Sequence, residues 1–177
     1  VSTPRERTND HVPVLPFFVY GTLRPGGHYH DRFLTGRTVR EEPALLAGAL
    51  LYDGPGYPYA IETTQTTETT ETTEMPRVTR VPGAPGTVET SGTVVGELVT
   101  PAPAHYGQLL AALDELEGFL GPGHPGNLYD RVVRDIRRAD STTAAAWVYV
   151  AAPRVARLLR ADGRPIPGGD WNRHGRR

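Results

Sequence analysis

The apolar residues of this chain come in short runs closed by glycine or proline, and one stretch alone, Ala104 to Glu117, holds a helical period over several turns. VLPFFVY stops at Gly21, ALLAGALLYDG ends in its own glycine turn, PYAIE follows Pro58, and TVVGELV precedes Pro101. Further on, LYDRVVRDI and AAAWVYV are joined by a polar turn at Ala139 to Thr142. Rich in aromatic and β-branched side chains, these runs predict strands. Pro101 and Pro103 lead into the helix, and Gly118 with the loop FLGPGHPGN stops it. HYHDRFL and VARLLRA predict further short helical pieces. Strands grouped around one long helix do not alternate with helices as a doubly wound fold requires, so the pattern predicts an α+β domain with a mostly antiparallel or mixed sheet.

A length of 177 residues admits one domain with a real core and is short for two. Order is expected from 14 to 171 as a single domain, after an aperiodic lead-in over residues 1–13 and before a basic tail at 172–177. Nineteen basic residues against twenty acidic ones leave no field that would draw nucleic acid or an anionic membrane, which points to a small-molecule partner. The absence of cysteine excludes disulfides, zinc-thiolate sites and thiol nucleophiles. Neither a signal-peptide core nor a run of about eighteen apolar residues is seen, which predicts a soluble, cytoplasmic protein.

TTQTTETTETTE, from Thr63 to Glu74, repeats every three residues, a period of neither strand nor helix, and offers nothing large to bury. Residues 62–91 therefore read as an inserted, solvated loop, with a long Thr-rich hairpin as the competing form.

The helix ends in LDELEG, with carboxylates at 114, 115 and 117. At about 100° per residue from Tyr106, Leu109, Leu110 and Leu113 fall near 300°, 40° and 340° and define a buried stripe. Glu117 falls near 20°, inside that stripe, with Asp114 at its border near 80° and Glu115 opposite near 180°. Glu117 thus points into the fold, where lost hydration and the negative helix end raise its pKa above the usual carboxylate range. The competing geometry is a frayed helix end that turns Glu117 to water. Asp114 and Glu115 read as solvated.

VYGTLRPG, from Val19 to Gly26, breaks a strand on a small-residue step. Tyr129 and Arg131 share one strand face and reach a substrate together, or serve as a structural tyrosine and a solvated arginine. His28 and His30 lack a third ligand for a metal, and His124 reads as exposed. Neither a GxSxG elbow, a Walker loop nor a GxGxxG after a strand is present, which argues against the common serine-hydrolase and nucleotide-binding designs.

FFVYGTLRPG, GALLYDGPGYPYAI, VVGELV, LDELEGF, LYDRVVRDI, WVYV and IPGGDW, in that order, resemble the γ-glutamylcyclotransferase-like superfamily over most of Phe17 to Trp171. The YGTL form is similar to the γ-glutamylamine cyclotransferase and AIG2-like branch rather than to the glutathione-related enzymes, which usually read YGSN. The resemblance implies a small mixed β-barrel with flanking helices. It implies that Tyr20, Gly21, Thr22 and Leu23 hold the glutamyl group of a small-molecule γ-glutamyl substrate, and that Glu117 is the catalytic acid/base. Arg24 or Arg131 would assist at the substrate carboxylate, beside Tyr129. The implied reaction is attack of the α-amine on its own γ-carbonyl, releasing 5-oxoproline and an amine, without metal or organic cofactor. In some members it removes a γ-glutamyl protecting group during natural-product biosynthesis. A non-catalytic barrel binding a small acidic metabolite and a γ-glutamyl amide hydrolase are the alternatives.

Overall fold

The computed structural model describes residues 13–63 and 92–174. Residues 1–12 of the lead-in, most of the Thr/Glu-rich insertion and the last three residues, 175–177, lie outside them. Among the described residues there are seven strands and four α-helices: β1 Phe17–Val19, α1 His30–Phe33, β2 Thr38–Ala47, β3 Ala49–Tyr52, β4 Tyr59–Glu62, β5 Thr93–Pro101, α2 Tyr106–Leu116, β6 Tyr129–Arg138, β7 Thr143–Ala151, α3 Pro153–Asp162 and α4 Trp171–His174.

Five strands close into a barrel in the order β1-β5-β2-β6-β7, and β3 and β4 form a separate two-stranded sheet. β7 returns to β1 in parallel, while the other barrel pairs are antiparallel, so the barrel is mixed. Phe18 on β1, Leu46 on β2, Val94 and Leu98 on β5, Ile136 on β6 and Val148 on β7 belong to one buried cluster that fills the barrel. Their strand neighbours Phe17, Val19, Val99, Trp147 and Tyr149 belong to a second cluster, packed with Leu109 and Leu113 of α2. β1 is therefore buried on both faces, which is why its sequence reads FFV without alternation.

Several boundaries differ from the sequence expectation. ALLAGALLYDG is not one strand: it divides at Gly48, its first half joining the barrel and its second pairing with β4. β2 starts as early as Thr38, in a charged stretch containing Pro43. Pro43 pairs with Glu97 on β5, whereas β6 meets β2 only at Ala44 and Leu45, so the proline sits beyond the β2–β6 ladder. VARLLRA is the centre of α3, whose ten residues nearly match the eleven of α2. The helix expected from Ala104 to Glu117 opens as a 3-10 turn, Pro103–His105, and ends at Leu116. The basic tail is partly helical: Trp171–His174 form α4, with Arg173 paired to Asp170 at 3.2 Å.

Candidate active site

α2 stops in a Schellman motif. The Phe119 N–H donates to the Asp114 carbonyl at 2.9 Å and the Gly118 N–H to the Glu115 carbonyl at 3.2 Å, with Gly118 left-handed at φ 62°. Glu117, one residue earlier, keeps near-helical geometry (φ −85°, ψ −1°), so the turn begins only after it. Its side chain consequently stays on the inward face and lines a cavity of about 160 Å³ at the end of the barrel. The residue is half-buried, with the cavity as its open side. Lost hydration pushes its pKa up to about 7, and no hydrogen bond or cation among the described residues offsets that loss.

The opposite wall is the step that follows β1. Tyr20, Gly21, Thr22 and Leu23 all line the cavity. Arg24 N–H donates to the Gly21 carbonyl at 3.1 Å, and Tyr29 N–H to the Thr22 carbonyl at 2.9 Å, which folds the step into a turn. Among the described residues no acceptor is found for the N–H groups of Gly21, Thr22 and Leu23, leaving donors for an anion or a carbonyl oxygen. Gly21 has a packing reason of its own: a Cβ there would lie 2.9 Å from both Cγ and Cδ of Pro58, which also lines the cavity.

Tyrosines and apolar side chains share the remaining wall. Tyr129 stacks on Tyr59 at 4.6 Å, and its hydroxyl donates to the Pro58 carbonyl at 2.8 Å. Tyr20 donates to the Tyr149 carbonyl at 2.6 Å and accepts from the Ala60 N–H at 3.3 Å. Tyr149 donates to Asp114 Oδ1 at 2.7 Å. Burial raises the pKa of all three hydroxyls, and the charge of Glu117 raises each further. They stay protonated through the neutral range, so Glu117 is the one lining side chain that exchanges a proton near pH 7.

Arg131 does not line the cavity. Its Nη1 donates to Asp114 Oδ2 at 2.6 Å, and its guanidinium lies 5.0 Å from the Phe119 ring and 4.8 Å from the Trp147 ring. Asp114 is correspondingly not solvated: it joins Arg131 to Tyr149. Arg24 is buried in an ion cluster, with Nε and Nη2 on Glu97 at 2.7 and 3.0 Å and Nη1 on Asp170 at 2.6 Å. Neither arginine is presented to the cavity. His30 meets Glu41 at 2.8 Å and Asp31 at 3.3 Å, away from these residues. Tyr149, Tyr57, Leu116 and Leu128 also line the cavity and were not singled out in the sequence. Tyr149 pairs directly with Arg131 across β6 and β7, a relation set by strand register.

Among the described residues no helix is long and apolar enough to cross a membrane. The family model described as Gamma-glutamyl cyclotransferase, AIG2-like, matches residues 17–70 and 62–173. A curated relative from Niallia circulans, the Gamma-L-glutamyl-butirosin B gamma-glutamyl cyclotransferase, is 29% identical over 133 residues, covering 75% of this chain and 64% of the relative. The chain thus spans just under two thirds of that relative's length. YkqA from Bacillus subtilis superposes with a TM-score of 0.53 at 19% identity, over 90% of this chain and 40% of its own. PH0828 from Pyrococcus horikoshii gives 0.53 at 17% identity over 91% and 92%. At these identities the two structures share the fold. Because the family model spans both the loop after β1 and the helix end that carries Glu117, the chain belongs to the γ-glutamyl cyclotransferase, AIG2-like, family.

Proposed function

We propose that the protein is a γ-glutamyl cyclotransferase that cleaves a γ-glutamyl amide by internal attack, with Glu117 as its proton carrier. The observation that carries this reading is an unpartnered carboxylate with a pKa of about 7, set in the same cavity as three unpaired backbone N–H groups.

The α-ammonium of a γ-glutamyl group sits beside its own α-carboxylate, which holds its pKa above the roughly 7.7–8.0 of a peptide α-amino group, and it cannot attack while protonated. A carboxylate titrating near 7 takes that proton at lower cost than one of ordinary pKa. The freed amine forms a bond to the γ-carbonyl carbon in a five-membered ring, and the carbonyl oxygen becomes an oxyanion held by the N–H groups of Gly21 to Leu23. Glu117 then returns the proton to the amide nitrogen, the carbon–nitrogen bond breaks, and the ring nitrogen gives up its second proton to the departing amine, so that 5-oxoproline and an alkylammonium leave. Nucleophile and electrophile share one molecule, so the cavity's main task is to fold the glutamyl chain into the attacking conformer.

This chemistry requires neither a metal nor an organic cofactor, and nucleic acid and membrane have no part in it; the cytoplasm is its proposed setting. The Niallia circulans relative, named for γ-L-glutamyl-butirosin B, supports a larger amine as leaving group and a deprotection step in biosynthesis. Incubation with γ-glutamyl-n-butylamide tests the proposal by its products. 5-Oxoproline with butylamine is expected; free glutamate would select hydrolysis, and binding without turnover a non-catalytic barrel. Glu117→Gln is expected to lower kcat by about 10²- to 10⁴-fold, and an unchanged rate in that variant removes Glu117 from the mechanism.

A further inference from the structure

The cavity separates donors from acceptors more sharply than its composition suggests. On the β1 side stand the N–H groups of Gly21, Thr22 and Leu23. Three lining tyrosine hydroxyls have their proton already committed: Tyr20 to the Tyr149 carbonyl, Tyr129 to the Pro58 carbonyl, Tyr149 to Asp114. A phenol that donates its one proton elsewhere offers only lone pairs. Together with the Glu117 carboxylate these oxygens offer a set of acceptors suited to a cation with several N–H groups.

Tyr149 differs from the other two in what holds its proton. Tyr20 and Tyr129 donate to backbone carbonyls, whereas Tyr149 donates to a carboxylate. That carboxylate is itself fixed by Arg131, whose guanidinium lies between Phe119 and Trp147. Asp114 lies in the last turn of α2, three residues before Glu117, so one helix end sets both the proton carrier and the direction of the Tyr149 hydroxyl. With its proton drawn to a carboxylate, the phenol oxygen is also a better acceptor than a free phenol.

We propose that Tyr149 and Glu117 together form the subsite for the substrate's α-ammonium, and that Asp114, braced by Arg131, is the positioning residue that keeps Tyr149 an acceptor. This rests on the cyclotransferase reading. Two N–H bonds to fixed oxygens orient the nitrogen, so that loss of the proton to Glu117 leaves its lone pair free for the γ-carbonyl. Arg131 contributes at one remove, through Asp114, and not by contact with the substrate carboxylate.

The test compares two probes, γ-glutamyl-n-butylamide and glutaric acid mono-n-butylamide, which lacks only the α-amine. Turnover of the first by the wild-type chain reads the functional assignment alone. The subsite is read from the ratio of affinities for the two probes, taken from KM and Ki, or from calorimetric Kd values if there is no turnover. Tyr149→Phe is expected to lower affinity for the amine-bearing probe about 10- to 100-fold, with Ki for the glutaric amide unchanged, which also certifies an intact cavity. Asp114→Asn is expected to give a similar loss in the wild-type background and no further loss on top of Tyr149→Phe. Equal loss for both probes, additive losses in the double variant, or a wild-type chain that does not distinguish the probes overturns the subsite.

Discussion

Arg24 and Asp170 lie 146 residues apart in the chain and meet at 2.6 Å, so the turn that follows β1 is tied to the segment entering α4. Glu97 on β5 completes the cluster, with side chains only 8, 13 and 14% exposed for Arg24, Glu97 and Asp170. Removing the guanidinium leaves the nearly buried Glu97 carboxylate without this partner and Asp170 dependent on the exposed Arg173 at 3.2 Å. Arg24→Met is expected to cost about 3–5 kcal/mol, read as a fall in the urea midpoint. Arg24→Lys is expected to recover only part of it, because an ammonium cannot match the bidentate grip on Glu97. A midpoint within error of the wild type in Arg24→Met would show that the cluster does not hold the fold.

Gly21→Ala places a methyl 2.9 Å from two carbons of the Pro58 ring. Neither the ring nor the strand-ended turn yields easily, so the loop amides must shift. The expected result is a loss of about 1–3 kcal/mol in stability and a larger fractional fall in kcat than the rise in KM. Wild-type kinetics in this variant would mean that the position of the amides is not part of catalysis.

Glu117 makes stability depend on pH in a direction opposite to most carboxylates. Its folded pKa, about 7, lies above the ordinary 4.5, so the protonated form suits the fold. Its full contribution is present below about pH 4.5 and is lost as pH rises to 7 and above. Glu117→Gln, which stays neutral, is expected to be more stable than the wild type at pH 8 by up to about 3 kcal/mol. The two should converge near pH 4.5; a pH-independent difference between them would contradict the raised pKa.

The same group shapes the rate. With Glu117 needed as carboxylate and the substrate arriving as an ammonium, kcat/KM should be a bell. Its rising limb is expected at about 7 and its falling limb above about 8, at the pKa of the substrate ammonium. A rising limb near 4.5 would place the titrating group outside the desolvated cavity.

Asn127 is 1% exposed and holds the loop after α2 from within. Its Oδ1 accepts from the Leu120 N–H at 2.8 Å, and its Nδ2 donates to the Gly121 carbonyl at 2.9 Å and to Asp130 Oδ1 at 2.7 Å. Asn127→Ala is expected to cost about 2–4 kcal/mol, and Asn127→Asp at least as much at pH 7, since it sets a second carboxylate against Asp130. Thermal melts of the two variants check this, and a shift below about 2 °C would contradict it.

Much of this architecture was readable from the chain because it depends on neighbours close in sequence. The inward angle of Glu117 follows from a helical stripe set by Leu109, Leu110 and Leu113, and the Gly118 stop allowed that helix to persist just far enough. The apolar runs marked most strands for the same reason. β2 was seen late, because Thr38 to Pro43 is polar on a strand whose outer neighbour is incomplete. The division at Gly48 was missed because an apolar run does not reveal which of two sheets each half will join.

Asp114, Arg131 and Tyr149 are the opposite case. Each by itself reads as a border carboxylate, a strand arginine and a strand tyrosine, and no local period links them. Strand register puts Tyr149 opposite Arg131, and the packing of α2 against that face brings in Asp114. The sequence by itself determined that a carboxylate would enter the fold at the end of α2, since a helical angle is settled within a few turns. Tertiary structure alone decided its company, because hydrogen bonds between distant segments exist only once the barrel has closed.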